Sequence, residues 1–221
     1  MVAADIINAM IPPLKATDDA HKAMVWMEEF RCNHLPVIED KVLLGFISEA
    51  IILEENDIEK KLSGFKLVGK DCVVNKGSHV YDILRVAGDH KLELVAVLND
   101  EGGYEGVITV QDIMTSFAQT AAVQAPGGIL ILSLNFIDYS LAEISRLVEE
   151  NKAKILSSIV VEDPLDNQKI KLTIKINQLD LTRIVATLER FDYKIIGRYQ
   201  EDKKDFQDKD RLDMLMRYLN I

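Results

Sequence analysis

The chain has 221 residues, of which 48% are hydrophobic and 28% charged, and its formal net charge at pH 7 is −10. This acidic balance argues against binding to a nucleic-acid backbone, which requires a clustered basic surface. The two cysteines are too few for a disulfide scaffold and indicate a reducing compartment. The sequence has neither the pattern of a signal peptide nor an apolar run of the ~20 residues that span a bilayer. We therefore expect a cytoplasmic protein without nucleic-acid or membrane partners.

The first part of the chain contains an internal duplication. Residues 106–112 (GVITVQD) form an apolar strand that passes through a hydroxyl residue into a helix, and an altered copy stands 61 residues earlier at 45–51. Each copy follows an apolar helix face and a short strand, so the pattern predicts two repeats, at residues 1–60 and 61–122. The charged link at 54–70 predicts a helix followed by a turn.

A different unit is expected at residues 128–199, after a Pro-Gly-Gly interruption. Strands are predicted at 129–134, 155–161, 169–176 and 193–199, the first of them of a buried type, with helices after the first and third. A turn is predicted at 163–167. A capping box, Ser140 with Glu143, opens the first helix. The third strand alternates isoleucine or leucine with lysine or threonine, so one of its faces should be covered and the other wet or only thinly covered.

The order βαββαβ, with two helices on one face of an antiparallel sheet, is the ferredoxin-like fold, so the chain is predicted to be α+β. Residues 200–221 form a charged tail with a short amphipathic helix. The apolar stripe of this helix, expected to dock on its own chain or on a dimer mate, is Leu212, Leu215, Met216 and Leu219.

The hydroxyl and the acid of the 106–112 motif allow two interpretations. Thr109 and Asp112 have the spacing of a helix capping box, with a shorter acid than usual. The same geometry allows the Asp112 carboxylate to accept hydrogen bonds from both hydroxyls of a ribose, which a single neutral acceptor cannot match. The motif alone does not decide between the two.

Together the repeats resemble a pair of CBS domains, on the strength of residues 106–112, of the strand at 35–38 and of the duplication itself. The resemblance implies that Thr109 and Asp112 hold the ribose of an adenosine ligand. The adenine would then lie against the opposite repeat, on positions that map to Ile11, Pro12, Cys32, Asn33 and Leu35.

Two departures from that family restrict the expectation. The first repeat has Ser48 but carries Ile51 where the acid belongs, so we expect one good nucleotide site rather than two. Glu93 stands near the position of the ligand's phosphates, where a basic residue is common. Among AMP, ADP, ATP and S-adenosylmethionine, this acid disfavours the triphosphate and favours AMP or S-adenosylmethionine.

Residues 128–199 resemble an ACT domain, a family that often pairs edge to edge and binds amino acids at the turn after the first strand. That turn, at 135–140, lacks the glycine usual in the family. Asn135 and Asp138 could contact a ligand amine, but turn formation explains them equally well. A CBS pair followed by an ACT-like domain resembles the bacterial acetoin-utilisation accessory proteins.

Catalysis is not expected. Cys32 and His34 could form half of a metal site, but the sequence offers no second Cys/His pair, so neither a metal nor a catalytic cofactor is predicted. We expect a homodimeric regulatory sensor that acts on a protein the sequence cannot name. The alternatives left open are a ligand-free assembly module and an amino-acid sensor that uses the ACT-like domain.

Overall fold

The computed structural model describes residues 1–200. The tail predicted for 200–221 therefore lies, from residue 201 onward, outside the described residues. The chain divides into two compact units, Met1–Ala118 and a second that begins at Gln119. None of the helices within residues 1–200 combines the length and the apolarity required to cross a membrane.

The first unit contains the same arrangement of strands and helices twice. In the first repeat these are β1 (Leu14–Lys15), α1 (Ala20–Phe30), β2 (His34–Glu39), β3 (Val42–Ser48) and α2 (Glu49–Glu55). In the second they are β4 (Val73–Asn75), α3 (Val80–His90), β5 (Leu94–Leu98), β6 (Tyr104–Thr109) and α4 (Val110–Ala118). Each set of three strands forms a sheet whose middle strand runs parallel to the first and antiparallel to the third. The duplicated sequence pattern predicted this recurrence.

Local sequence explains why the first helix of each repeat begins and ends where it does. Asp19 caps α1 by accepting a hydrogen bond from the Lys22 amide at 2.8 Å, and His79 caps α3 by accepting one from the Tyr81 amide at 3.3 Å. Both helices end at a residue in the left-handed conformation, Arg31 with φ 53° and Lys91 with φ 54°. The chain is thereby turned into the following strand at equivalent points of the two repeats.

The predicted helix in the link at 54–70 was wrong beyond Glu55, where α2 ends. The structure has instead a short 3₁₀ turn at Leu62–Gly64. The amide of Leu62 donates to the Asp18 carbonyl at 2.8 Å, and its side chain is fully buried in the core of the first unit. The Leu62 amide thus has a hydrogen-bond partner outside any helix, and its buried side chain holds the segment on the core, so the chain stays irregular here.

The second unit has the predicted order of strands and helices. These are β7 (Gly128–Asn135), α6 (Leu141–Glu150), β8 (Ile155–Asp163), β9 (Asp166–Ile176), α7 (Thr182–Arg190) and β10 (Lys194–Tyr199), preceded by a short α5 (Ala121–Gln124) that the sequence did not predict. The sheet order is β10-β7-β9-β8, and all pairs are antiparallel. Both long helices contribute to one core with the same face of the sheet.

Two details of this sheet differ from the prediction. The five-residue turn expected at 163–167 is shorter, because β8 extends to Asp163 and β9 begins at Asp166. The strand β7, expected to be buried on both sides, instead alternates between buried and half-buried positions. It packs on the helices only through Leu130, Leu132 and Leu134. The lysine-bearing face of β9 is half-buried at Lys171, Thr173 and Lys175, in agreement with a thinly covered face.

Candidate functional site

The first unit contains a cleft of roughly 530 Å³ at the point where its two repeats meet. The segment before β1 contributes Asn8 and Ile11, the end of α1 contributes Arg31 and Cys32, and the start of α4 contributes Thr109 and Asp112. Residues from distant parts of the sequence are thus brought around one opening, and the carboxylate of the 106–112 motif lies in its wall.

Thr109 and Asp112 form the capping interaction that the sequence allowed. The Asp112 amide donates to Thr109 Oγ1 at 2.9 Å, while Asp112 Oδ2 accepts from the Thr109 amide at 3.0 Å and from Thr109 Oγ1 at 2.6 Å. This reciprocal pair fixes the first turn of α4. It also holds the carboxylate at the cleft, so the capping function and a binding function are compatible.

Asn8 belongs to this constellation and was not predicted from the sequence. Its side-chain nitrogen donates to Oδ1 and Oδ2 of Asp112 at 3.3 and 3.1 Å. The two residues are 104 positions apart. The sequence gives no local sign of their contact, because the segment at residue 8 reaches Asp112 only by pairing with β6 at Val107.

The five residues proposed to face the adenine lie in four different environments. Ile11 and Cys32 line the cleft. Pro12 is half-buried and is not one of the lining residues. Leu35 is fully buried in the core. Asn33 lines a neighbouring hollow of the first repeat and is engaged with Glu93.

The charged groups of the cleft are mostly acidic. Glu29, Glu93 and Asp112 line it together with one cation, Arg31. Glu93 is held in place because Asn33 donates to it twice, from its side chain at 2.9 Å and from its backbone at 3.4 Å. The acid expected beside the ligand's phosphates therefore does lie in the cleft. Lys91, which neighbours it in sequence, is not among the lining residues.

Cys32 and His34 are both affected by burial beside Glu93. Burial raises the pKa of the Cys32 thiol, and the Glu93 charge adds to that effect. Burial also lowers the pKa of His34, with a smaller opposing contribution from Glu93. The thiol is therefore a poor nucleophile and a poor metal ligand. Among residues 1–200, no group of three or more His, Cys, Asp or Glu side chains is placed to hold a metal ion.

The matching position of the first repeat is built differently. Ser48 caps α2 by accepting from the Ile51 amide at 3.2 Å, as Thr109 does for α4. Ile51 packs against the core and supplies no carboxylate. Val68 pairs with Phe46 where Asn8 pairs with Val107. The equivalent site at the start of α2 thus lacks both the acid and the amide.

The second unit has a cleft of its own, of roughly 600 Å³, that includes the two residues proposed for an amino-acid site. Asn135 donates to Asp138 Oδ2 at 2.8 Å, which accounts for both side chains as part of the turn after β7. Ser140 Oγ accepts from the Glu143 amide at 3.3 Å, which is one half of the predicted capping box. The Glu143 carboxylate, which the other half requires, instead accepts from the Tyr193 hydroxyl at 3.0 Å. Burial, together with this bond, raises the pKa of Tyr193 to about 12.

Comparison with known proteins identifies part of the chain. Residues 67–119 match the CBS domain family. Similar solved structures include a CBS domain pair/ACT domain protein from Thermotoga maritima, with 14% identity, a TM-score of 0.49, and coverage of 54% of this chain and 98% of the other. A second is CBSX2 in complex with AMP, with 17% identity, a TM-score of 0.46, and coverage of 53% of this chain and 96% of the other. A third is a CBS domain-containing protein of unknown function from Bacillus anthracis, with 19% identity, a TM-score of 0.45, and coverage of 54% of this chain and 94% of the other. The second repeat of this chain is therefore a CBS domain.

Proposed function

We propose that the chain is a non-catalytic regulatory sensor that binds an adenosine ligand in the cleft of a CBS-domain pair formed by residues 1–60 and 61–122. Residues 128–199 would be an ACT-like, ferredoxin-fold domain that serves dimerisation or signal transmission to a regulated protein. The observation that carries the proposal is the position of Asp112. Its carboxylate is held by Thr109 in the wall of a cleft with an apolar side at Ile11 and Cys32.

The fit of a nucleoside follows from these groups. A carboxylate can accept hydrogen bonds from two adjacent ribose hydroxyls, and such charge-assisted bonds contribute roughly 1.5–3 kcal/mol each. The apolar side chains offer a surface for the base. The AMP complex of CBSX2 concerns that protein, but it motivates testing the same class of ligand here.

The test compares ligand-induced stabilisation in matched variants. A ligand that binds only the folded state at a hundredfold excess over its Kd should stabilise the first unit by about 2.7 kcal/mol. Asp112→Asn should abolish most of that gain, because it removes the charge that accepts the diol. Ser48→Ala, which removes the counterpart of Thr109 at the site without an acid, should keep it. The measurement is a melting curve followed by the fluorescence of Trp26, the single tryptophan, with AMP, ADP, ATP, adenosine and S-adenosylmethionine.

Equal stabilisation of Asp112→Asn and wild type would contradict the proposal, and so would the absence of any shift with these compounds. Asp112 would then be a helix cap alone. The remaining interpretation would be an assembly module that binds no ligand in this cleft.

The charges of the cleft favour particular members of the ligand class. Three carboxylates against one guanidinium repel a polyphosphate. AMP, or a compound without phosphate such as S-adenosylmethionine, fits this surface better than ATP or ADP. Glu93 is the residue expected to set the preference, because Asn33 fixes its side chain.

The proposed homodimer would use the edge strand β8. Ile159, Val160 and Val161 on this strand are 58, 42 and 55% exposed, and the outer edge of β8 lies free of sheet partners among residues 1–200. Light scattering should give a mass near twice 24.9 kDa. The double variant Ile159→Lys and Val161→Lys should give a monomer. A dimer that survives both changes would show that the interface lies elsewhere.

An amino-acid sensor is the second candidate, and the cleft of the second unit favours it. Asp138 uses one oxygen for Asn135, so its other oxygen could accept from a ligand ammonium group. A panel of free amino acids should then raise the melting temperature of the second unit, and Asp138→Asn should remove the effect. An unchanged melting temperature with every amino acid would reject the amino-acid sensor and would leave the proposed adenosine site unaffected.

A further inference from the structure

One contact in the cleft of the first unit plays no part in capping α4. The side chain of Asn8 donates to both oxygens of Asp112, at 3.3 and 3.1 Å. Its own oxygen accepts from the Met10 amide at 2.9 Å, and its backbone amide donates to the Val107 carbonyl at 2.8 Å. Because the side chain is fixed at both ends and its backbone is tied to β6, the amide is held on the carboxylate.

The acceptor capacity of Asp112 is almost used up by these bonds. An ionised carboxylate offers about four acceptor positions, two on each oxygen. Oδ2 receives the amide and the hydroxyl of Thr109 as well as the Asn8 nitrogen, so it is fully occupied. Among residues 1–200, Asn8 is the one donor to Oδ1, over the longer distance. One hydroxyl donor can still be accommodated, whereas a vicinal diol brings two.

We propose that Asn8 is a latch on the ligand cleft: its amide competes with the second hydroxyl of a ribose for Asp112 and must be displaced when the diol binds. This inference rests on the proposed adenosine site and assigns it a residue that lowers its affinity for vicinal diols. The equivalent site at the start of α2 is consistent with it. Where Ile51 replaces the acid, Val68 replaces the amide, so the donor occurs only beside its acceptor.

Displacement of the latch would also change the segment that follows it. The Asn8 oxygen holds the Met10 amide, and both Met10 and Ile11 line the cleft. Met10 is 79% exposed, so it is free to move when that bond is lost. Ligand binding in the cleft would therefore change the conformation of residues 8–11 in the first unit.

The test measures the Kd of adenosine and of 2′-deoxyadenosine for the full chain and for Asn8→Ala by calorimetry. Removing the competing donor should tighten adenosine binding about tenfold. It should change 2′-deoxyadenosine binding less than about twofold, because a single hydroxyl fits the free position on Oδ1. Asn99→Ala is the matched control. Asn99 orients a turn through the Glu101 and Gly103 amides but does not line the cleft, so both Kd values should stay unchanged.

Weaker or unchanged adenosine binding by Asn8→Ala would overturn the latch, and so would an equal gain for both nucleosides. If neither nucleoside binds any of these proteins, the proposed adenosine site itself fails, and the latch fails with it. A second readout needs no substitution. In the unaltered chain, the side-chain NH₂ resonances of Asn8 should shift on saturation with adenosine and much less with 2′-deoxyadenosine. Equal shifts for the two nucleosides would also overturn the latch.

Discussion

The two repeats of the first unit share a framework but differ at the three positions that form the nucleoside site. Thr109 and Asp112 of the second repeat, with Asn8 of the first, stand where the equivalent site at the start of α2 has Ser48, Ile51 and Val68. The hydroxyl is kept in both, because a helix that starts directly after a strand needs a cap in either repeat. The acid and the amide occur together at only one of these two equivalent sites. The duplication thus separates what the fold requires from what a ligand would require.

The repeats also meet through residues that are equivalent to one another. Asn33 and Glu93 hold the same position in the two repeats, and the side chain of Asn33 donates to that of Glu93 at 2.9 Å. The carbonyls of the same two residues accept from the Glu49 and Val110 amides, at the starts of α2 and α4. A contact between equivalent residues places them where the two repeats come together. This explains why a charge on Glu93 can influence the cleft beside α4.

The largest expected difference between the repeats concerns two equivalent glycines. Gly45 has φ +144°, and a Cβ there would lie 2.9 Å from the Val68 carbonyl oxygen. Gly106 would place its Cβ 2.7 Å from Ile7 Cγ2, an atom at the end of a side chain that can move. Gly45→Ala should therefore cost about 2–3 kcal/mol of unfolding free energy, and Gly106→Ala about 1 kcal/mol. Urea unfolding followed by Trp26 fluorescence measures both.

Equal losses of unfolding free energy in the two variants would show that the segments the added Cβ atoms meet, at Ile7 and at Val68, are equally rigid. The two repeats would then not differ in the rigidity of these glycine contacts. A larger loss for Gly106→Ala would contradict the assignment of the rigid contact to the first repeat.

What the sequence could predict follows from how far apart the interacting residues are. Thr109 and Asp112 are three positions apart on one helix turn, so their spacing reveals the contact. The alternation of β9 reveals its covered face for the same reason. Asn8 and Asp112 are joined only through strand pairing, and no local pattern marks them. Asn33 and Glu93 carried a usable signal, because residues at the same repeat position can meet where two repeats come together.

A smaller effect is expected from the charge at Glu93. Replacing this acid with a cation should make AMP bind about five- to tenfold more tightly relative to adenosine, which corresponds to about 1–1.4 kcal/mol. The ratio of the two Kd values cancels any general loss of stability in Glu93→Lys. Glu29→Lys, which makes the same charge change at another point of the cleft, should alter the ratio less. Equal changes in both variants would mean that Glu93 has no particular position relative to the phosphate.

The smallest expected effect concerns His34, which stands where the second repeat has the buried Leu94. Burial lowers the pKa of His34, and its buried Nδ1 has no hydrogen-bond partner within residues 1–200. The unfolded chain takes up this proton at its ordinary pKa of 6.5, whereas the folded chain takes it up only at lower pH. Stability should therefore be unaffected by His34 at pH 8 and should fall as the pH drops below about 6.5. Replacing His34 with Leu makes the first repeat resemble the second, so it should reduce the fall in melting temperature between pH 8 and pH 5.5 by about 1–3 °C. The measurement is again Trp26 fluorescence, and an unchanged slope in His34→Leu would show that protonation of other groups accounts for the acid sensitivity of both repeats.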